Sequence, residues 1–199
     1  MKEVFGDLWE FDGIIAITTN GFVKRDRTCV MGRGCAKQAV ARFRDLPHEL
    51  GTRISAEGNH VFYFPEYRLI MFPVKHNWWE IADIDLIQRS ARELLKLVEV
   101  EKINEAIYLP RPGCGNGRLK WEDVKKFLSP ILNSDQFHIV TYSRINSETT
   151  THRLKLEDSV RTQSMDRHQH RGVKSYPPRP YLLPLFSPSQ TWKQTEYPK

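Results

Sequence analysis

Short continuous apolar runs alternate with longer stretches in which apolar side chains recur every three or four positions, and the alternation holds from the N-terminus to about Ser143. The short runs are rich in β-branched residues and too brief for helices. Gly13–Asn20 (GIIAITTN) and Asn104–Pro110 (NEAIYLP) read as buried strands, and Phe137–Ser143 (FHIVTYS) as a last strand. Val4–Trp9 reads as a further short strand around the Gly6-Asp7 step, and His60–Val74 (HVFYFPEYRLIMFPV) as two strands turned at Pro65-Glu66-Tyr67. Between them, Cys35–Phe43 carries Ala36, Ala39, Val40 and Phe43 at helical spacing, after a polar, glycine-punctuated loop from Gly21 to Gly34. Asp83–Glu101 is a long amphipathic helix with Ile84, Ile87, Ala91, Leu94, Leu95 and Val98 on one face. Trp121–Leu132 reads as another helix, and His48–Asn59 as mixed helix and loop. Strands alternating with helices predict an α/β fold of three layers, α/β/α, around a mixed and largely parallel central sheet.

The texture changes after Ser143. Residues 144–199 hold half of the chain's 12 prolines and little periodicity, which predicts a flexible C-terminal tail appended to a domain of residues 1–143. A short helix near Leu154–Arg161 and a small docking patch at Tyr181–Phe186 are the exceptions this tail allows. The formal net charge of +6 does not describe the domain: residues 1–143 carry 20 Lys and Arg against 19 Asp and Glu, whereas residues 144–199 carry 10 against 5. The excess of positive charge is therefore a property of the tail, which suits weak polyanion attraction there rather than a basic body.

No apolar run approaches the roughly 18 residues that a membrane-spanning helix needs. The N-terminus lacks the apolar segment of a secretory signal, and Cys29, Cys35 and Cys114 form no C-x-x-C pair, so the expected setting is cytoplasmic, with neither a disulfide framework nor a zinc site. His168-Gln169-His170, without a nearby cysteine, is not taken as a metal site.

Candidate chemistry concentrates in two glycine loops, each entering a helix from a buried strand. The first is Met31–Gly34 (MGRG), the second Gly113–Gly117 (GCGNG). Free backbone N–H groups at a helix start, with no side chain in the way, cradle anions, and two cradles facing one crevice would suit a diphosphate. Neither loop is a complete dinucleotide fingerprint or P-loop, so each alone is equally a tight turn that lets a helix pack on a strand.

In combination the motifs are more specific. GDLWEFDGIIAITTN, VMGRGCAKQAVARF, FPVKHNWWE and LPRPGCGNGRLKW, in that order, resemble the macro domain, the ADP-ribose-binding fold. The resemblance is greatest to the branch that contains antitoxins removing ADP-ribose from thymidine bases in DNA, with related phage and bacterial proteins, and it covers residue 1 to about Ser143. It implies ADP-ribose as ligand, no metal or other cofactor, no membrane association, an ADP-ribosylated substrate such as DNA, and a possible toxin partner. It also implies positions. Asp7 would accept a hydrogen bond from the adenine amino group, with Leu8 beside it, although Asp7 also suits the cap of a turn. Asn20 would face the distal ribose, where its amide can both donate and accept. Met31, Gly32 and Gly34 would line one side of the phosphates, and Gly113, Cys114, Gly115, Asn116 and Gly117 the other. Tyr142 would pack near the adenine or belong to the core.

Lys75, in FPVK, matches a functional lysine of the DNA-directed hydrolases, and the resemblance implies that it acts at the anomeric carbon. Its amine could instead offset phosphate charge. His76 competes for proton transfer, being the side chain that titrates nearest neutrality. Some glycohydrolases of this branch carry an aspartate where this chain has Gly117, so one obvious general base is missing here. Trp78 and Trp79 are expected to pack at a helix start, with base stacking as the alternative, and Trp121 is expected to be structural. Three functions remain open on these residues: an ADP-ribosyl glycohydrolase, a phosphatase acting on ADP-ribose 1″-phosphate, and a binding module without turnover.

Overall fold

The computed structural model describes residues 1–142. The expectations for the tail (its boundary at Ser143, the short helix, the docking patch and the His168–His170 pair) lie outside the described residues.

The strands are β1 Lys2–Phe5, β2 Ile14–Asn20, β3 Phe62–Phe64, β4 Leu69–Lys75, β5 Ile107–Pro110 and β6 Phe137–Thr141; the helices are α1 Gly34–Arg42, α2 Leu46–Glu57, α3 Ile84–Val100 and α4 Trp121–Leu128. They form one six-stranded sheet in the order β1-β6-β5-β2-β4-β3. Every neighbouring pair is parallel except β3 and β4, which the Pro65–Tyr67 turn returns antiparallel. The mixed, largely parallel α/β sheet is as the sequence predicts.

Successive side chains on a strand point to opposite faces, so a strand with consecutive apolar residues must be covered on both. β2 shows this directly: Ile14 and Ala16 join a core with Ile87, Ala91 and Leu94 of α3 and Val124 and Leu128 of α4, while Ile15 and Ile17 join a second core with Ala36 and Ala39 of α1 and Leu46, Leu50 and Ile54 of α2. Phe72, Leu94 and Phe137 are fully buried, each contributing about 1.5–3 kcal/mol of transfer free energy. β1 forms one edge of the sheet and is fastened to α4 through Glu3. Its carboxylate accepts from Lys125 Nζ at 2.6 Å, Trp121 Nε1 at 3.1 Å and Arg111 Nη2 at 3.3 Å. The Lys125 hydrogen bond is the main reason its pKa lies below the ordinary glutamate value. Trp121, buried and bonded to Glu3, is structural as expected.

Four expectations shift. The first strand stops at Phe5 rather than reaching Trp9, because the Asp7 carboxylate accepts the Trp9 N–H at 3.0 Å and caps a 3-10 turn at Leu8–Glu10. The stretch expected to be mixed is one continuous helix, α2, with Pro47 in its first turn and Gly58, at φ 94°, just past its end. On α3 the buried face also takes in Leu86 and Ser90, whose Oγ donates to the Pro73 carbonyl at 2.8 Å. Trp78 and Trp79 stand in a turn before α3, not in the helix, and both are about half exposed rather than packed.

Pro73 sets the geometry at the end of the central strands. It has no N–H for the ladder, and the β2–β4 register slips there: Thr19 pairs with Pro73 but Asn20 pairs with Lys75, leaving Val74 as an extra residue. Asn20 and Lys75 thus end their strands side by side.

Candidate functional site

At the C-terminal ends of the strands a cavity of about 890 Å³ opens. This is where open α/β sheets bind ligands, because helix N-termini and loop backbones converge there. Its floor is the end of β2 (Thr18, Thr19, Asn20) and of β4 (Val74, Lys75), and its two walls are the glycine loops.

The first wall runs through Met31, Gly32, Arg33 and Gly34 into α1. Arg33, at the N-cap, places no side-chain hydrogen bond on the first-turn N–H groups of the helix. Gly34 has φ 57°, a left-handed conformation that favours glycine. Gly32 is different: it is exposed, its φ is ordinary, and a Cβ added there would meet nothing within 4 Å among the described residues. The second wall is Gly113–Gly117. Gly113, at φ 73°, is required by the protein itself, since a Cβ would lie 2.7 Å from Ile87 Cδ1 and 2.9 Å from Leu119 Cδ1. Gly117 is similar, with Ala82 Cβ at 2.9 Å, whereas Gly115 needs only its backbone angle, φ 71°, and faces open space. The loops approach each other: a Cβ on Gly34 would sit 3.4 Å from Asn116 Nδ2.

Lys75 closes the floor. It is 9% exposed, and its Nζ donates to the Asn116 carbonyl at 2.8 Å, tying the end of β4 to the second loop. Burial holds its pKa below the ordinary lysine value, reinforced by the Arg118 and Arg33 guanidinium groups and opposed by Glu80. Asn20 beside it has structural duties: Nδ2 donates to the Val30 carbonyl at 2.7 Å and Oδ1 accepts the Phe22 N–H at 3.0 Å, folding the loop after β2 back over the strand end. One N–H and one lone pair of that amide are left over.

Of the residues singled out from sequence, the cavity brings together Asn20, Met31, Gly32, Gly34, Lys75, Gly113–Gly117 and Tyr142. Asp7, Leu8 and His76 do not line it. Asp7 stands at the same edge of the sheet, beside the Gly6–Thr141 hydrogen bond, with its carboxylate turned to Trp9. Leu8 is buried in the core of the α1/α2 face. His76 pairs through Nε2 with Asp83 at 3.3 Å, at the cap of α3. Sequence reasoning missed Thr18, Phe22, Lys24, Arg33, Cys35 and Arg111, which also line the cavity. Arg33 was readable, since it stands inside the first glycine loop; Arg111, just past β5, carried no motif. Cys35 and Cys114 line the walls as thiols whose pKa burial raises. Among the described residues, Lys24, Arg33, Lys75 and Arg111 give the lining four cations and no Asp or Glu contributes to it, a balance suited to an anionic ligand. No cluster of three or more His, Cys, Asp or Glu side chains is placed among them to hold a metal ion.

No family model matches the chain, and no curated protein matches it. Solved structures do. The macrodomain of Thermus aquaticus DarG aligns over 71% of this chain and 97% of its own, with a TM-score of 0.59 and 22% identity. That of Mycobacterium tuberculosis DarG aligns over 71% and 95%, with a TM-score of 0.60 and 23% identity. Thermosipho africanus DarTG, solved in complex with ADP-ribose, matches over 71% of this chain and 41% of its own, with a TM-score of 0.58 and 18% identity. An α/β sheet of this order with a glycine-walled cavity at its C-terminal edge has a name: the chain has the macrodomain fold. No helix among the described residues is long and apolar enough to cross a membrane.

Proposed function

We propose that the cavity binds ADP-ribose and that the protein hydrolyses an ADP-ribosyl linkage, with a modified thymidine base in DNA as the substrate. The diphosphate would lie between the two glycine loops, against backbone N–H groups and the cationic lining, with the distal ribose over Asn20 and Lys75. The likeness to a DarTG structure holding ADP-ribose supports the ligand. The observation that carries the catalytic part is Lys75: a nearly buried amine, fixed on the Asn116 carbonyl, with its pKa lowered by burial and neighbouring cations. A lysine in such surroundings is neutral more of the time and can take a proton or attack carbon. In the overall reaction the bond from the anomeric carbon to the base nitrogen breaks, a water oxygen bonds to that carbon, and a water proton ends on the released base.

That no Asp or Glu among the described residues lines the cavity favours a second reading, a binding module that holds ADP-ribose without turnover. An oligonucleotide carrying ADP-ribose on thymidine separates the two. Release of the unmodified strand by the wild type and not by Lys75→Ala, with ADP-ribose still bound by both, is the expected result. Binding without release by the wild type supports the module. Release of inorganic phosphate from ADP-ribose 1″-phosphate instead would make the protein a phosphatase.

A further inference from the structure

Three aromatic side chains stand at the mouth of the cavity without a core to explain them. Trp78 is 50% exposed and lines the cavity; Trp79 is 55% exposed, and Ile81, just beyond, 57%. Trp79 meets Trp78 edge to face, with centroids 5.4 Å apart at 90°, and Phe22, another lining residue, at 5.3 Å and 68°. Phe22 comes from the loop after β2 and the tryptophans from the turn after β4, so two separate segments converge on one ledge beside Lys75.

Polar bonds, not apolar burial, hold that ledge. Asn77 N–H donates to Glu80 Oε2 at 2.8 Å and Asn77 Nδ2 to Glu80 Oε1 at 2.6 Å, closing the turn that carries both tryptophans. Ala82 N–H then donates to the Gly117 carbonyl at 3.0 Å, fastening the turn to the second glycine loop. Two indoles are thus kept in water at some cost in exposed apolar area, on a turn whose backbone is set before any ligand arrives. Stacking on a flat π-face profits from such preorganisation.

Resting on the reading of the cavity as an ADP-ribose site, we infer that Trp78 and Trp79, with Phe22 behind them, form a stacking platform for bases of a single-stranded nucleic acid. The base released from the anomeric carbon would lie on Trp78 and the neighbouring base on Trp79. Charge agrees with this occupant. The nearby Lys24, Arg33 and Arg118 are exposed cations available to strand phosphates, while Glu80, in the same turn as the tryptophans, is engaged by Asn77. The platform would select the aglycone: it adds affinity for what is attached to ADP-ribose, not for ADP-ribose itself.

The test uses the full chain as wild type, Trp78→Ala, Trp79→Ala and Trp78→Phe. Two affinities are measured for each: free ADP-ribose by calorimetry, and a short unmodified single-stranded thymidine oligonucleotide by fluorescence anisotropy. The alanine variants should lose roughly 5- to 150-fold in strand affinity, the range given by one lost base–aromatic stack, with Trp78→Phe recovering most of the strand loss. ADP-ribose affinity should be unchanged in Trp79→Ala, whose side chain is outside the cavity lining, and should fall less than strand affinity in Trp78→Ala. Attraction by the basic tail is common to all four proteins and cancels in the comparison. Undetectable strand binding by the wild type, or equal binding by wild type and alanine variants, overturns the platform and leaves the ledge to a protein partner. An equal loss of ADP-ribose affinity also overturns it, making Trp78 a wall of the ADP-ribose site. If the wild type binds strand through the tryptophans but not ADP-ribose, the platform stands and the reading of the cavity fails.

Discussion

Replacing Gly32 with alanine separates what the fold needs from what a ligand needs. The glycine has an ordinary φ, and an added Cβ would meet nothing within 4 Å among the described residues, so no contact with them accounts for it. Folding should tolerate the change or gain about 0.4–1 kcal/mol, because alanine restricts the unfolded chain. Binding should not. If a diphosphate lies against this wall, a methyl group pushes it off the backbone N–H groups. Each lost hydrogen bond to a charged group is worth about 1.5–3 kcal/mol, or roughly 10- to 150-fold in Kd. The other loop supplies controls. Gly115→Ala meets no atom of the described residues but must hold φ 71°, a cost of about 1–2 kcal/mol. Gly113→Ala adds contacts of 2.7 Å and 2.9 Å to that strain, for a total of about 2–5 kcal/mol. Urea midpoints should therefore fall in the order Gly32→Ala, Gly115→Ala, Gly113→Ala, while calorimetry with ADP-ribose should show Gly32→Ala stable and impaired. A Gly32→Ala protein that binds ADP-ribose as tightly as the wild type refutes the reasoning, since nothing then approaches that glycine.

Two further outcomes rest on charge. Because Arg118 helps hold the Lys75 pKa down, Arg118→Ala should raise that pKa and move the rise of hydrolysis with pH to higher pH; an unmoved profile would exclude the neutral amine as the reacting form. Glu3→Ala should cost about 1–3 kcal/mol in urea unfolding, since it strips a partner from Trp121 and Arg111. The Glu3 pKa is lowered on folding, so this contribution is present above the ordinary glutamate pKa and fades as pH falls through the lowered one; Glu3→Gln should show no such fading.

The strands and long helices were legible because their apolar periods are set by burial on two faces: Ile14 to Ile17 can only be a strand between two helical layers. Lys75 and the loop glycines were legible through motif order. The misses have local causes. Asp7 redirected the chain through a side-chain hydrogen bond that competes with the strand, which no hydrophobic pattern records. α2 is interrupted in composition by Gly51, which periodicity counts against a helix. The reason for this glycine is long-range: a Cβ there would lie 2.0 Å from the Arg27 carbonyl oxygen. Trp78 and Trp79 read as core because indoles usually are; the Asn77–Glu80 clamp that keeps them outside is visible only in three dimensions. The walls divide the same way. In the sequence Gly32, Gly113 and Gly115 are equivalent, and only the atoms around each tell a glycine kept for packing from one with open space before it.

The electrostatics of the cavity give Lys75 a consequence that the apo protein alone hides. Its pKa is lowered first by burial and then by Arg118 and Arg33. In the native state the ammonium is therefore disfavoured relative to the unfolded chain. This lysine's share of the stability is least below its folded pKa and climbs as pH rises from there towards the ordinary lysine value. A bound diphosphate reverses part of the balance, because its negative charges favour the protonated amine. By linkage, binding raises the Lys75 pKa and is itself stronger while the amine is charged. Since kcat/KM reports the free protein and kcat the complex, the basic rise in kcat should lie at higher pH than the rise in kcat/KM. Two superimposable profiles would mean that the phosphates do not sit close enough to feel this amine. The arrangement of Lys75 beside the glycine walls would then have to serve some other ligand.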